Sequence, residues 1–400
     1  LSPLHRAWRR LPPRARRAAL SQAAAALAPR IDRVPPAAAP GLAVAGELSR
    51  ASGLGEVARL MLRGLAALDV AAWAIDTGTA VAPEAAGAAA RAVPDGVPLL
   101  LHVNAPHVPL ALLRLPRALA KGRRVIGYWA WELPVAPPSW RVGVPFVHEA
   151  WVLSRFSADA LAPLLPGRVR VVTPPLAAAP PVPAAMGRAA FGWPPGAVVT
   201  LVSFSLASSF ERKNPLGAIA AFRAAFADRP DRLLVLKVGN PGDFPADFSQ
   251  LQAAAGDAAN IRLEPRTFPA ADSHAMTQAA DIVLSLHRSE GFGLVPAEAM
   301  LLGRPVIATG WSGNLDFMDA ASAALVPARL IPARDPRGVF EAPGAVWAEP
   351  DQATAVAHLR RLADDAAARA ALGARGRAAA TAALGLDSLA QAVASLRRPA

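Results

Sequence analysis

Apolar residues along the chain fall into short unbroken runs separated by longer stretches of helical period. LAVAG (42–46), PLLLHVN (98–104), RVIGYWAW (124–131) and HEAWVLS (148–154) are the runs of the first half, and their density suits strands buried on both faces. Between the first two, Glu56–Leu68 sets Val57, Leu60, Met61, Gly64, Leu65 and Leu68 on one face, the spacing of an amphipathic helix. A helix from Ser157 to Leu165 follows the fourth run. The alternation restarts with strand 198–204, helix Pro215–Phe226, strand 232–239 and a helix ending near Ala255. Strand 260–265, helix Ala271–Ala280, strand 281–286, helix Val295–Leu302, strand 305–309 and helices within 351–376 and 386–397 complete it. Strands alternating with helices predict the α/β class, with two doubly wound parallel sheets. The ligand site of such a pair is expected where carboxyl ends of strands face a cleft.

Proline divides these halves. RVPPAAAPG (33–41) and residues 173–197 hold too many prolines for an element interior. The expected organisation is an arm (1–40), a first domain (41–172), a linker (173–197), a second domain (198–383) and a C-terminal helix (384–400).

Composition narrows the chemistry. The 400 residues include no Cys, which removes disulfide scaffolds, thiolate metal sites and thiol nucleophiles and fits a reducing compartment such as the cytoplasm. The seven His show no metal-binding spacing and no Asp-x-Asp pair occurs, so no protein-held metal is expected. No run of 18 strongly apolar residues appears, so no transmembrane helix is expected. The formal net charge is +12, yet residues 1–33 hold eight Arg against Asp32, a local +7 that leaves only +5 for the rest. That arm admits three readings: a signal peptide, contact with a membrane surface through its Arg residues and Trp8, or a solvated leader. Only Lys121, Lys213 and Lys237 among the 42 cations are lysines, so the abundant Arg reflects compositional bias and the lysines stand out.

Four segments carry candidate chemistry. In SEGFGLVPAEAM (289–300), Gly291 and Gly293 allow a tight turn and Pro296 suits the first turn of a helix, whose N-terminus forms an anion site. Glu290 before the turn and Glu298 in the helix's first turn can accept hydrogen bonds from sugar and ribose hydroxyls; the alternative is an ordinary glycine turn followed by a helix-terminal acid. In SFERKNPLGAIAAFRAAF (209–226), Arg212 and Lys213 precede the N-cap candidate Asn214 and Pro215. Two cations there are unfavourable without an anion, which points to a phosphate or diphosphate, against a solvated pair. Gly53 and Gly55 sit between a strand and a helix, a weak phosphate-loop signal equally suited to a simple turn. GYWAWELPVAPPSW (127–140) clusters Trp129, Trp131, Trp140 and Tyr128 around Glu132, suiting either a carbohydrate surface or an aromatic core. His102 and Asn104 end another strand, as acceptor-side candidates or as satisfied structural groups.

Taken together, these segments resemble the retaining glycosyltransferases of the GT-B fold, group 1 or family 4, over about residues 41–383. The resemblance rests on the E-x7-E spacing of Glu290 and Glu298 around GFGL, with GLGEVAR (53–59), YWAWELP (128–134), FERKNP (210–215), SLHRSEGFG (285–293), TGWSGNLDFM (309–318) and WAEPD (347–351). It implies two Rossmann-like domains, the first on the acceptor side and the second binding a nucleotide sugar, with the last helix crossing back to the first. It further implies that Glu290 contacts the transferred sugar and Glu298 the ribose, and that the amides of Phe292, Gly293 and Leu294 hold sugar and diphosphate. Lys213 with Arg212 would neutralise the leaving group, Gly53 to Gly55 would close over it, and Arg266 to Phe268 would lie by the base. Two positions depart from the family: Phe204–Ser205 stands where a Gly-Arg pair is common, with Arg212 as a compensating candidate, and Glu132 stands where many members carry a His.

The expected function is transfer of a sugar from a GDP- or UDP-linked donor to a glycan or glycolipid acceptor, with no cofactor beyond the donor. Surface polysaccharide synthesis and peripheral contact with the inner membrane face accompany that expectation; nucleic acid is not expected as a partner. The alternatives are another nucleotide-sugar enzyme of this fold, such as a 2-epimerase, or a basic module that binds membrane or nucleic-acid surfaces.

Overall fold

The computed structural model of the chain describes residues 12–50, 52–78 and 83–397; Arg6, Trp8, Arg9 and Arg10 of the arm lie outside them. The chain divides into two compact units. Leu1–Trp131, Val135–Ala178 and Leu386–Ala400 form the first, and Glu132–Pro134 with Ala179–Gly385 form the second.

In the first unit, α1 (Pro13–Leu27) precedes β1 (Leu42–Gly46), α2 (Gly53–Ala67), β2 (Ala72–Asp76), α3 (Pro83–Arg91) and β3 (Leu99–His102). The short α4 (Val108–Leu113), β4 (Val125–Trp129), β5 (Glu149–Val152), α5 (Arg155–Leu161) and β6 (Val169–Val171) follow. All six strands are parallel, in the order β2-β1-β3-β4-β5-β6. The central strands β1, β3 and β4 are buried at every position, which is why they read as unbroken apolar runs. The edge strands β2 and β6 are half exposed and short, so hydrophobicity does not mark them.

Helix α2 buries Val57, Leu60, Met61, Gly64 and Leu65, the predicted face, and Ser52 caps it by accepting from the Gly55 amide at 3.2 Å. It begins at Gly53, so Gly53 and Gly55 form its first turn and not the preceding loop. A Cβ on Gly55 would stand 2.5 Å from the Arg50 carbonyl and 2.8 Å from that of Glu47, so the loop after β1 folds tightly onto the helix start only because this residue is glycine. Part of the basic arm is not a free leader: α1 buries Ala24, and Ser21 Oγ donates to the Pro106 carbonyl at 2.9 Å.

The second unit opens with β7 (Val198–Ser205), α6 (Phe210–Lys213), α7 (Pro215–Phe226), β8 (Arg232–Gly239), α8 (Pro245–Ala255), β9 (Ile261–Glu264), α9 (Ala270–Ala279) and β10 (Ile282–Ser285). It continues with α10 (Leu294–Leu301), β11 (Val306–Thr309), β12 (Ala324–Val326), a hairpin of β13 (Ala328–Pro332) and β14 (Val346–Pro350), α11 (Gln352–Asp364) and α12 (Ala366–Ala383). The parallel sheet runs β12-β11-β10-β7-β8-β9. Leu234, Leu236 and Val238 pack with Phe222 and Leu359 on one face; Leu233 and Val235 pack with Val199, Leu201 and Met276 on the other. Both sheets are therefore doubly wound, as the alternation predicted.

Two expectations change. From Ala179 onward the Pro-rich segment is part of the second unit rather than a linker: Phe191, Trp193 and Ala197 enter its core. Arg188 pins the segment, donating to Asp281 at 2.6 Å and to the Ala197 carbonyl at 2.8 Å. Proline forbids regular elements there but does not prevent packing. In addition, Ala366–Leu396 reaches a mean hydropathy of 1.2, enough by length and composition for a membrane-spanning helix. It is interrupted: α12 ends at Ala383 and the last helix, α13 (Asp387–Leu396), belongs to the first unit, where Ser388 Oγ accepts from the Thr173 amide at 3.0 Å.

His102, at the end of β3, is buried and stacks on Tyr128 with centroids 4.4 Å apart and planes 16° from parallel. Burial pushes its pKa down to about 3 from 6.5, so between those values the unfolded chain binds a proton that the folded chain refuses. Stability contributed by the neutral ring is full above pH 6.5 and declines as pH falls toward 3, by about 1.4 kcal/mol per pH unit. His102→Phe, which keeps the stack, is expected to flatten the acid slope of the unfolding free energy by about 2 kcal/mol at pH 5, measured by denaturant titration from pH 7.5 to 5.

Candidate active site

In the second sheet the chain leaves β7 toward β8 on one side and returns to β10 on the other. In general, loops leaving two such neighbours run to opposite faces of the sheet, and the crevice of this topological switch point is where ligands of parallel α/β sheets bind. The loop after β7 carries Arg212 and Lys213; the loop after β10 carries His287, Ser289 and Glu290.

Hydrogen bonds staple the loops together. The Arg288 amide donates to the Arg212 carbonyl at 2.7 Å, and Asn214 Nδ2 donates to the Leu286 carbonyl at 2.9 Å. Arg212 Nη1 donates to the Ser289 carbonyl at 2.7 Å and to Glu290 Oε2 at 3.1 Å, while Nη2 reaches the Ser208 carbonyl at 2.8 Å. Lys213 Nζ donates to Glu290 Oε1. Glu132, which clusters with this unit, sets Oε1 3.9 Å from Arg212 Nη2, and its carbonyl accepts from Ser289 Oγ.

Local backbone makes this arrangement. Arg212 and Lys213 lie in their own one-turn helix, α6, capped by Ser209 (φ 79°), whose Oγ accepts from the Arg212 amide at 3.3 Å. Asn214 (φ 50°) ends α6 and caps α7 by accepting from Gly217 at 3.3 Å, with Pro215 as the first helical residue, as predicted. Across the crevice Ser312 (φ 78°) accepts from the Glu290 amide at 2.8 Å. Gly293 (φ 98°) starts α10, and a Cβ there would be strained as well as 3.4 Å from Asn314. Three non-glycine residues in the left-handed region, each costing on the order of 1–3 kcal/mol, surround one ion cluster.

The cluster is buried. Burial alone would raise the Glu290 carboxyl, yet Lys213 and Arg212 prevail and hold it at about 2. Burial and Arg212 lower the Lys213 ammonium, opposed by Glu290. Burial raises the Glu132 carboxyl above its ordinary range, against the pull of Arg212 and reinforced by Glu290. Two cations thus stand against the full charge of Glu290, with the Glu132 carboxyl 3.9 Å from Arg212 beside them. The N-terminus of α10, at Leu294, follows Glu290 by four residues.

Supporting residues that spacing did not reveal complete the site. Asp335, fully buried between β13 and β14, accepts from the amides of Val339 at 2.8 Å and Phe340 at 3.0 Å and from Ser209 Oγ at 3.4 Å. The turn it organises lays the Phe340 ring 4.8 Å from the Arg212 guanidinium carbon. Arg288 donates to Glu349 at 2.7 Å and to the Glu211 carbonyl at 2.7 Å. His287 is buried with neither ring nitrogen bonded among the described residues, and burial lowers its pKa to about 4.

Other expected site residues fall elsewhere. Glu298 lies in the second turn of α10, not the first, 3.9 Å from His274 Nε2. Arg266 forks onto Glu264 and stacks 5.1 Å from the Phe268 ring centroid, just beyond β9. Gly53, Gly55, His102, Asn104, Trp129 and Trp131 belong to the first unit. There the aromatic group is core rather than a carbohydrate surface. Trp129 packs edge-on to Trp140 at 5.9 Å and Trp131 lies 5.0 Å from Trp140, so both indoles are buried against neighbours. Asn104 Oδ1 accepts from the Ala130 amide at 2.8 Å and His102 is stacked, so both serve the sheet end.

Residues 200–347 match the family described as Glycosyl transferases group 1, a span that holds Arg212, Lys213, Glu290 and Glu298. The second unit therefore carries a glycosyltransferase domain. The chain is 34% identical over 205 residues to a D-inositol 3-phosphate glycosyltransferase of Mycolicibacterium gilvum, covering 49% of this chain and 42% of that one. It is 32% identical over 147 residues to the enzyme of the same name from Corynebacterium urealyticum, covering 36% and 33%. The chain spans about a third to two-fifths of the length of these curated relatives. Among solved structures, sucrose-phosphate synthase of Thermosynechococcus elongatus aligns with a TM-score of 0.63 at 16% identity, over 90% of this chain and 98% of that one. Anabaena HepE in complex with UDP and glucose aligns with a TM-score of 0.57 at 13% identity, over 89% and 99%. With two parallel six-stranded sheets, the fold is GT-B.

Removing the shared carboxylate leaves two buried cations facing each other. Glu290→Gln is expected to cost about 3 kcal/mol of stability at pH 7. Because the folded pKa lies below the unfolded one, the wild-type contribution is present above pH 4.5 and is lost as pH falls toward 2. Urea unfolding of both proteins at pH 7 and pH 3 checks the size and the sign.

Proposed function

We propose that the protein is a metal-independent glycosyltransferase of the family 4 kind, moving a sugar from a UDP- or GDP-linked donor to a glycan or lipid-linked glycan acceptor with retention of configuration. The observation that carries this reading is the cation pair Arg212–Lys213, held on Glu290 at the switch point of the second sheet. Anabaena HepE, of the same fold, is in complex with UDP and glucose, which supports a nucleotide-sugar donor.

The demanding event in such a transfer is departure of a nucleoside diphosphate, which develops negative charge on its bridging oxygen. Preorganised positive groups at that point lower the barrier because they need no reorganisation as charge appears. Lys213 and Arg212 supply two full charges, and the amides of Phe292, Gly293 and Leu294 supply partial ones. An incoming diphosphate competes with Glu290 for Lys213, which frees the Glu290 carboxylate to accept from a hydroxyl of the transferred sugar. In this reading Glu298 accepts from the ribose and the Arg266–Phe268 pair flanks the base. Glu132, whose carboxyl burial raises against the pull of Arg212, lines the reacting side of the cluster as a further hydrogen-bonding group. The departing phosphate assists deprotonation of the acceptor, consistent with retention. A place on the cytoplasmic face of a membrane, in surface polysaccharide synthesis, accords with a donor made in the cytoplasm and a basic N-terminal arm.

Lys213→Ala is expected to lower donor turnover by about a hundredfold to a thousandfold while the circular dichroism spectrum stays that of the folded wild type, with a lowered unfolding midpoint because Glu290 keeps only Arg212. A thermal-shift panel of nucleotide sugars identifies the donor to assay, since a specific binder raises the midpoint by mass action. Near-normal turnover in the variant overturns the assignment, and product formed from donor without any acceptor redirects it to an epimerase.

A further inference from the structure

Ligands of parallel α/β sheets bind beyond the carboxyl ends of the strands. The first unit has a cleft of about 720 Å³ at the opposite edge, where the segments entering β4, β5 and β6 meet residues 30–35. Its volume lies in the range of small-molecule sites.

The charge of this cleft is one-sided. Arg30, Arg33, Lys121 and Arg168 line it against a single carboxylate, Asp32. That carboxylate is already engaged, accepting from the Gly122 amide at 2.7 Å and from Lys121 Nζ at 3.4 Å. No carboxylate among the described residues pairs with Arg30, Arg33 or Arg168, although elsewhere in this chain Arg59, Arg188, Arg232, Arg266 and Arg288 each hold one. Compositional bias accounts for the number of arginines but not for their convergence on one concavity without counter-ions.

The cleft is also built. His148 is buried beneath it, its Nδ1 accepting from the Val125 amide at 2.8 Å and its Nε2 lying 3.0 Å from the Asp32 carbonyl. Those two bonds require the neutral Nε2–H tautomer, and they tie residues 30–33 to the start of β4. Arg30 lies with its guanidinium carbon 4.7 Å from the Phe146 ring centroid, which fixes its stem. Val144, Pro145 and Val147 supply an apolar wall.

We propose that this cleft is a second ligand site, for a phosphate ester whose anionic group is gripped by Arg30, Arg33 and Arg168. Guanidinium forks match phosphate oxygens bidentately, and three of them around one concavity accept a doubly charged group. The apolar wall suits the organic part of the ester, whether soluble or the headgroup region of an anionic lipid. Two of the arm's eight arginines then have a structural destination: Arg30 and Arg33 line this pocket.

The test uses the full chain and two variants, Arg33→Ala/Arg168→Ala for the cleft and Lys213→Ala for the crevice of the second unit. Titration calorimetry with inorganic pyrophosphate is expected to show binding that persists in Lys213→Ala and weakens at least tenfold when Arg33→Ala/Arg168→Ala is added to Lys213→Ala, with the unfolding midpoint of the Arg33→Ala/Arg168→Ala variant unchanged from wild type. Sedimentation with phosphatidylglycerol vesicles, against phosphatidylcholine controls, separates the sources. Sedimentation that the double variant loses assigns a lipid headgroup; pyrophosphate binding without sedimentation assigns a soluble ester. If Arg33→Ala/Arg168→Ala changes neither pyrophosphate binding in the Lys213→Ala background nor vesicle sedimentation, or wild type binds neither, the cleft is not a phosphate site. Loss of pyrophosphate binding in Lys213→Ala alone also overturns it and leaves the donor reading intact.

Discussion

Much of the second unit is organised around a carboxylate that must be charged where burial opposes charge. Glu290 is buried, and an isolated anion there would be expensive by several kcal/mol. Arg212 and Lys213 offset that cost, yet they are adjacent in a four-residue helix and repel each other without it. Each charge is tolerable only in the presence of the others. A buried ion cluster of this kind is weak as a source of stability. Its worth lies in geometry, because it fixes Arg212 and Lys213 against Glu290 at the ends of β7 and β10.

Around the cluster the chain accepts local costs to hold that geometry. Ser209, Asn214 and Ser312 adopt left-handed backbone, and each uses its side chain to bond an amide or carbonyl of the loops it shapes. Asp335 organises a turn whose Phe340 ring covers the Arg212 guanidinium. The parallel sheet beneath supplies the direction, since only at the switch point between β7 and β10 do adjacent strands send their loops apart. The first sheet is doubly wound as well, but its strand ends present a tightly folded glycine turn and a stacked histidine instead of an ion cluster.

Legibility in the sequence followed burial. β1, β7 and β8 and helix α7 stand out because strands buried on both faces become unbroken apolar runs and because Asn214–Pro215 is a strong helix start. β2, β6 and β13 did not, because most of their positions are exposed or only partly buried. The aromatic segment 127–140 was ambiguous for a different reason. Tryptophans that stack on sugars and tryptophans that pack on one another have the same composition, and only the neighbours Trp140 and Tyr128 assign Trp129, Trp131 and His102 to a core. The prolines of 173–197 marked the absence of regular structure correctly but hid the packing of Phe191 and Trp193.

The pairing of cations with an anion was likewise half visible. Arg212 and Lys213 before a helix start implied that negative charge must approach, because like charges cannot be left together near a positive helix end. That reasoning pointed outward, to a phosphate, whereas the folded chain supplies Glu290 from a loop 77 residues away for Lys213. Sequence by itself determined the α/β alternation and the Asn214–Pro215 helix start, since these depend on periodicity and backbone preference within a few neighbours. Tertiary structure alone decided which charges meet, which aromatics are buried and where Arg30, Arg33 and Arg168 converge. Those outcomes depend on strand order and loop divergence, which bring together residues that no local spacing relates.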